Sequence, residues 1–428
     1  MTLLIFLAAL LVPMALGVPV AFALIISGAA LMMYMDLFDA QIVAQNVLNG
    51  ADSFPLMAVP FFLLAGEIMN AGGLSRRIVN LALVMVGHVR GGLGFVAIFA
   101  ACVIASLSGS AVADAAALGA LLFPMMRNAG HEPGRAAGLI ASASIIAPII
   151  PPSIGFILFG VIGGVSITKL FLAGIFPGLM IAVALCVTWF ILARREQFDL
   201  PKKAAPGARM RAFLDSIWAL MLPVIIIVGL RFGVFTPTEA GVVAAVYSLF
   251  VATVIYRELP LSRLYPAMVD AAKTTAVVMF LVASASVSAW MITVADVPGG
   301  ELADLVRPLM DNQTLLLLAI MLMVVLVGMA MDMTPPTILI LTPVLMPIIK
   351  EAGIDPVYFG VLFIINNSIG LITPPPVGTV LNVVCGVARL PFEKVMTGVL
   401  PFLIAQLVVL FLMVLFPQLV TVPMGWFH

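Results

Sequence analysis

INNSIGLITPPPVGTVLN (residues 365–382) is apolar enough to lie in a bilayer, yet it carries three adjacent prolines, two glycines, two threonines and three asparagines. Proline lacks a backbone donor and clashes with the preceding turn, so helical hydrogen bonding is expected to fail at Pro374, Pro375 and Pro376. SASIIAPIIPPSIGFILFG (142–160) repeats the combination with Pro148, Pro151 and Pro152. The first stretch interrupts an apolar segment at about 356–388, the second one at about 135–164. Each reads as a broken membrane helix. Carbonyls freed at mid-membrane depth persist in lipid only where they line a cavity or hold a ligand, and with nearby hydroxyls they suit a hard cation such as sodium.

The rest of the chain supplies the bilayer. Of 428 residues, 63% are hydrophobic and 9% charged, and apolar runs recur from end to end. Runs of about twenty such residues mark a polytopic α-helical membrane protein, and their continuity argues against an outer-membrane barrel, whose lumen-facing positions would be polar. The 20 basic and 20 acidic residues cancel, leaving no electrostatic footprint for nucleic acid. Cys102, Cys186 and Cys385 stand alone in apolar segments and are expected to be buried, and His88, His131 and His428 have no metal-ligand spacing. None of these histidines falls in a membrane segment beside a serine such as Ser108, which disfavours an intramembrane hydrolase; the chain reads as a non-enzyme. The first apolar run has neither a basic leader nor a small-residue cleavage site and reads as a retained span.

ARREQFDLPKKAAPGARMRAF (193–213) holds six basic side chains and by the positive-inside rule faces the cytoplasm. Spans are predicted at about 135–164, 167–193, 213–233, 236–256 and 264–294. Two apolar runs, 95–126 and 315–349, are cut in the middle by small, polar or proline residues into arms of about fifteen residues, too short to span comfortably. They read as re-entrant helical hairpins at about 92–126 and 313–349. Arg76, Arg77, Arg90, Arg127, Arg135, Arg257, Arg263, Arg389 and Lys394 then fall inside, against Lys169, Arg231, Arg307 and Lys350 outside. The halves resemble each other: Pro124, Gly130 and Pro133 match Pro347, Gly353 and Pro356 at one offset, and Gly174 and Pro177 match Gly398 and Pro401 at that offset plus one. The chain divides into an N-terminal scaffold (1–53), a first repeat (54–193), a basic cytoplasmic loop (194–212), linking scaffold spans (213–263), a second repeat (264–420) and a tail (421–428). An odd number of crossings inverts the second repeat relative to the first. The predicted fold is an all-α polytopic membrane protein of two inverted-topology repeats, each with a hairpin and a broken helix, as in secondary transporters.

Asp332, in GMAMDMTPPT (328–337), is an acid at the second hairpin tip. A charge at the bilayer centre costs roughly 2.5–3.5 kcal/mol, which makes it a functional candidate, with N-capping of the second arm as the competing role. Asp114 reads as a residue of the first hairpin's second arm.

SLSGSAVADAAALGALLFPMM (106–126), IIAPIIPPSIGF (145–156), MDMTPPTILILTPVLMPI (331–348), KEAGIDPVYFGVLFIINNSIGLITPPPVGTVLN (350–382) and GADSFPLMAVPFFLLAGEIMNAGGLSRRIV (50–79) together resemble the large membrane (M) subunit of tripartite ATP-independent periplasmic (TRAP) transporters, colinearly over nearly the whole chain. The resemblance implies a multi-pass protein of the bacterial cytoplasmic (inner) membrane that imports an organic anion, such as a sialic acid, a sugar acid or a C4-dicarboxylate, by sodium symport. It also implies an elevator mechanism, a small four-helix membrane subunit and a periplasmic substrate-binding protein. About two sodium ions are expected, the first at Ser106, Ser108, Gly109, Ala147 and Pro148, the second at Gly328, Met331, Thr334, Thr373 and Pro374. Substrate is expected at Ser110, Ser153 and Asp332. The chain departs from the family pattern by one extra proline in Thr334-Pro335-Pro336-Thr337 and one in Pro374-Pro375-Pro376, both beside the second ion site. The alternative reading is a self-sufficient sodium-coupled carboxylate carrier of related fold, which needs no binding protein.

Overall fold

A computed structural model describes residues 1–194, 205–296, 308–310, 312–330, 334–373 and 378–426, and all their side chains except those of Leu107, Met329, Ala330 and Thr334. The described residues form helices and no strand. In hydrocarbon every backbone group must be satisfied within its own segment, so a chain this apolar folds as helices. The first half runs α1 (Thr2–Ala15), α2 (Val20–Tyr34), α3 (Ala40–Ala51), α4 (Ala58–Ala71), α5 (Leu74–Val86), α6 (Gly92–Ser108), α7 (Ala111–Asn128), α8 (Pro133–Ser144), α9 (Ile154–Gly163) and α10 (Ile167–Ala193). The second runs α11 (Pro206–Arg231), α12 (Pro237–Phe250, continued by a π-helical turn), α13 (Leu261–Val294), α14 (Gln313–Ala330), α15 (Thr334–Glu351), α16 (Pro356–Gly370), α17 (Thr379–Ala388), α18 (Phe392–Leu415) and α19 (Gln418–Gly425). Among the described residues six helical segments are long and apolar enough to cross a bilayer: Phe54–Ala71, Ile167–Ala193, Pro206–Arg231, Pro237–Ile255, Leu261–Val294 and Phe392–Leu415.

Boundaries follow local chemistry. Pro206 and Pro237 occupy first-turn positions, where a missing N–H costs nothing, so α11 begins inside the basic stretch rather than at 213. Asp355 accepts from the Tyr358 amide at 2.8 Å and starts α16, and Glu132 accepts from the Gly134 and Arg135 amides and starts α8. The arms α6, α7, α14 and α15 have 17, 18, 18 and 18 residues, longer than the fifteen expected, because the helices run up to the hairpin tips and through Pro124, Pro343 and Pro347. The last helix crosses the 420/421 boundary and sets Trp426 against Phe176 of α10, ring centroids 6.3 Å apart.

Two bodies of packing stand out. In the first, α2, α3 and α4 lie on α13, with α12 on α4 and α5 on α11. In the second, hairpins and broken helices exchange partners: α7 packs on α17, α15 on α9, and the long helices α10 and α18 lie on α16 and α8. Every residue from Val357 to Gly370 of α16 is buried, as expected of a helix apolar on all sides at the middle of an assembly. Phe159 of α9 meets Phe359 and Phe363 of α16 with centroids 6.1 and 5.7 Å apart, and the absence of a side chain at Gly360 makes room for the Phe159 ring. Small residues also set the α8–α18 crossing. A Cβ at Gly398 would sit 2.0 Å from the Gly134 carbonyl oxygen, and one at Gly138 would sit 2.4 Å from the Gly398 carbonyl carbon, so the two backbones touch. Beside them, Gln406 of α18 donates to the Ser142 carbonyl at 2.9 Å.

The perimeter is apolar: Leu16, Phe22, Val183, Val246, Leu322 and Leu261 are among its exposed side chains. Cys102, Cys186 and Cys385 are free and only half-buried, not fully enclosed as their apolar surroundings suggested. A helix flank facing lipid is as apolar as a core, so hydropathy does not separate the two.

Candidate transport site

The first hairpin closes at Gly109, whose left-handed backbone (φ 61°) turns α6 into α7. A Cβ there would lie 3.0 Å from the Pro152 carbonyl oxygen and 3.4 Å from the Ile154 amide, so the tip rests on the break between α8 and α9. Only glycine combines that φ with that approach. Helical bonding fails there over residues 145–153, where Ala147 and Pro148 are both buried.

Each first-site hydroxyl already has a partner. Ser106 Oγ donates to the Val103 carbonyl at 2.6 Å, and Ser108 Oγ donates to Asp114 Oδ1 at 2.5 Å. Ser110 caps α7, accepting from the Ala113 amide at 3.4 Å. Asp114 is 1% exposed, and its Oδ2 has no partner among the described residues. It lies on the second arm, as the sequence predicts, and the turn at Gly109 brings Ser108 back to it. The signal was present in the six-residue spacing around a tip glycine. Ser153, expected at the substrate, is fully buried, accepts from the Phe156 amide at 3.2 Å and donates to the Pro148 carbonyl at 2.5 Å. The Pro148 carbonyl, expected to be free, therefore already accepts one hydrogen bond from the cap of α9, because a hydroxyl five residues on reaches back across the break, and its second lone pair is left for a ligand.

The first arm of the second hairpin meets the second broken helix ahead of its break. Gly328 of α14 lies against Gly370 of α16, where a Cβ on Gly370 would come within 3.1 Å of the Gly328 Cα, and Asn366 donates to the Met321 carbonyl at 2.6 Å. Asn366 Oδ1 is buried without a partner among the described residues. Thr373, the last described residue before the break, is half-buried and donates to the Ile369 carbonyl at 2.8 Å. Gly378 resumes the chain with φ 49°. Met331, Asp332 and Pro374 lie outside the described residues, as does the Thr334 side chain. Asn366 was missed as an individual because its amide reads equally well as a helix-breaking or a helix-joining group; here it ties the broken helix to the hairpin arm.

Among the described residues no group of three or more His, Cys, Asp and Glu side chains could hold a metal ion. The polar atoms gathered at the two junctions are carbonyls, hydroxyls, amides and one carboxylate, a set suited to hard, weakly held cations and to hydrogen-bonding solutes.

The family description "Tripartite ATP-independent periplasmic transporter, DctM component" matches residues 7–419. The 2,3-diketo-L-gulonate TRAP transporter large permease protein YiaN of Escherichia coli K12 is 58% identical over 428 residues, all of both chains. The sialic acid TRAP transporter large permease protein SiaM of Vibrio cholerae is 40% identical over 94% of this chain and 93% of its own. Among solved structures, the YdaH transporter of Alcanivorax borkumensis superposes with a TM-score of 0.64 at 17% identity, over 91% of this chain and 90% of that one, a likeness of fold. A multi-pass helical chain with two hairpins seated on two broken helices, matched from end to end by these permeases, belongs to the DctM family of TRAP transporter large permeases.

Proposed function

We propose that this chain is the transport subunit of a sodium-coupled, binding-protein-dependent importer of an organic anion in the bacterial inner membrane, and that a sugar acid is its favoured substrate class. The observation that carries the reading is the paired junction: the tip of hairpin 1 rests on the break of the first discontinuous helix, the first arm of hairpin 2 meets the second discontinuous helix at Gly328 and Gly370, and each hairpin's second arm packs on the other discontinuous helix. Such exchange ties both junctions into one body, as an elevator carrier requires, and favours two repeats of inverted topology. The substrate class follows from the 58% identity to a 2,3-diketo-L-gulonate permease. A small four-helix membrane subunit and a periplasmic binding protein complete the assembly.

Charge explains the coupling. An anion at mid-membrane needs compensating positive charge, and neither hairpin tip carries lysine or arginine. About two sodium ions supply it, one near Ser106, Ser108, Gly109, Ala147 and Pro148, the other near Gly328, Met331, Thr334, Thr373 and Pro374. Substrate lies between them, near Ser110, Ser153 and Asp332.

The test is uptake into proteoliposomes holding this chain and its small subunit. An inward sodium gradient with the cognate binding protein outside should drive uptake with a Hill coefficient for sodium above one, and Thr373→Ala should raise the sodium needed. Rapid uptake without the binding protein would favour the self-sufficient carrier. Undiminished uptake with potassium in place of sodium would refute the coupling.

A further inference from the structure

At one end of the molecule a cavity of about 350 Å³ opens between α5, the start of α11 and the second arm of hairpin 1. It is the face that carries Arg76, Arg77 and Arg90, read as cytoplasmic. One wall is apolar: Leu83 with Leu121 and Met125, the last two 37% and 40% exposed on the flank of α7. The other wall carries groups of both signs: Arg76, Asn80 and Asp215. Arg77 also lines it but is already committed, donating to Glu258 at 2.6 Å and to the Gly73 carbonyl while its guanidinium lies 3.7 Å over the Tyr256 ring. Arg76 spends one nitrogen on Glu258 at 2.8 Å and remains 66% exposed. The Asp215 carboxylate has no hydrogen bond or ion pair among the described residues, its backbone carbonyl alone accepting the Tyr256 hydroxyl.

We infer that this cavity is a binding site for one aminophospholipid of the surrounding membrane, its phosphate on Arg76 and Asn80, its ammonium on Asp215, and an acyl chain along Leu121 and Met125. A soluble anion would leave the Asp215 charge opposed and the apolar wall in water. A purely anionic headgroup meets the same repulsion. A zwitterion satisfies both charges at once, and a wall graded along α5, from Arg76 and Asn80 to Leu83, opposite the apolar flank of α7 matches a headgroup continuing into a chain. The cavity spans the seam between α5 and α11 on one side and hairpin 1 on the other, so the bound lipid touches both bodies. The inference goes beyond the transport reading and stands independently of which anion is carried.

Native mass spectrometry of the full chain, stripped of lipid in detergent and then titrated with equal amounts of dioleoyl phosphatidylethanolamine or phosphatidylglycerol, tests it. The wild type should retain one phosphatidylethanolamine with a preference of about fivefold, the discrimination that one partly exposed ion pair supplies. Asp215→Asn should erase the preference while still retaining lipid, Arg76→Ala should weaken both lipids, and Leu121→Trp, which fills the cavity, should abolish retention in a protein of unchanged melting behaviour. Free phosphoethanolamine should not compete at the concentrations where the lipid binds. Equal retention of the two lipids by the wild type, a preference that survives Asp215→Asn, lipid retention unaffected by Leu121→Trp, or full competition by phosphoethanolamine would each overturn the inference.

Discussion

Gly398→Ala adds one methyl group at the α8–α18 crossing, and the geometry sets its cost. The new Cβ would lie 2.0 Å from the Gly134 carbonyl oxygen and 2.3 Å from its carbon, about 1.4 Å inside the ordinary 3.4 Å contact. Both atoms it meets belong to backbone, so no rotamer can relieve the overlap and the helices must part. Overpacking of this kind costs up to about 3 kcal/mol, against roughly 1 kcal/mol regained from alanine's helix propensity, leaving a net loss of about 2 kcal/mol. The separation would also strain the Gln406–Ser142 bond beside it. Gly386, in α17, provides the control, since nothing lies within 4 Å of its added Cβ; Gly386→Ala should stabilise by up to about 1 kcal/mol. Melting midpoints from size exclusion after heating in detergent should move in opposite directions for the two variants, by a few degrees for Gly398→Ala. A Gly398→Ala protein that melts with or above Gly386→Ala would refute the claim that backbone contact holds this crossing.

A double-mutant cycle on Ser108→Ala and Asp114→Asn should show coupling of about 1 kcal/mol or more in thermal stability, since the Ser108 hydroxyl donates to a carboxylate that is otherwise sealed from water; additive effects would deny that the tip bond matters. Asn366→Leu should destabilise by about 1 kcal/mol through loss of the bond to the Met321 carbonyl, read by the same melting assay; an unchanged midpoint would deny that this bond ties the two helices. The Arg77 hydrogen bond, aided by the charges of Arg77, Arg76 and Arg263, outweighs partial burial and holds the Glu258 carboxyl below its ordinary 4.5. A depressed acid stabilises the fold above its unfolded value and loses that contribution as pH falls through the folded one. The stability gap between wild type and Glu258→Gln should therefore be open near neutrality and close progressively as pH falls below the carboxyl's ordinary 4.5; a gap that widens in acid would reverse the assignment.

What could be read in advance was whatever breaks a helix. The prolines at 148, 151 and 152, the small residues around Gly109 and the polar cut near Gly328 each forbid a continuous span, and each marks a junction in the fold. Hydroxyl partners were not legible. Ser153 could cap a helix or face a solute with equal sense, and only the path of the chain across the break brings it to the Pro148 carbonyl. Asp114 is legible as a residue of the second arm, but its partner is not, since only the turn at Gly109 brings Ser108 to it. The cysteines failed for a different reason: in a bilayer the outside of a helix is as oily as the inside, so apolar neighbours no longer imply enclosure.

The exchange of partners between the two halves has a consequence for how the protein is made. Ser142 of α8 waits for Gln406, which lies 264 residues downstream. At the usual elongation rate of 5–20 residues per second, this wait lasts on the order of 13 to 50 s. During that interval α8 stands in the membrane with the Gly134 and Gly138 face and the Ser142 carbonyl still without α18. A ribosome that stalls before α18 leaves α8 without the helix that Gly134 and Gly138 are shaped to meet, so quality-control proteases should clear prematurely terminated products while sparing chains that lose only the last helix.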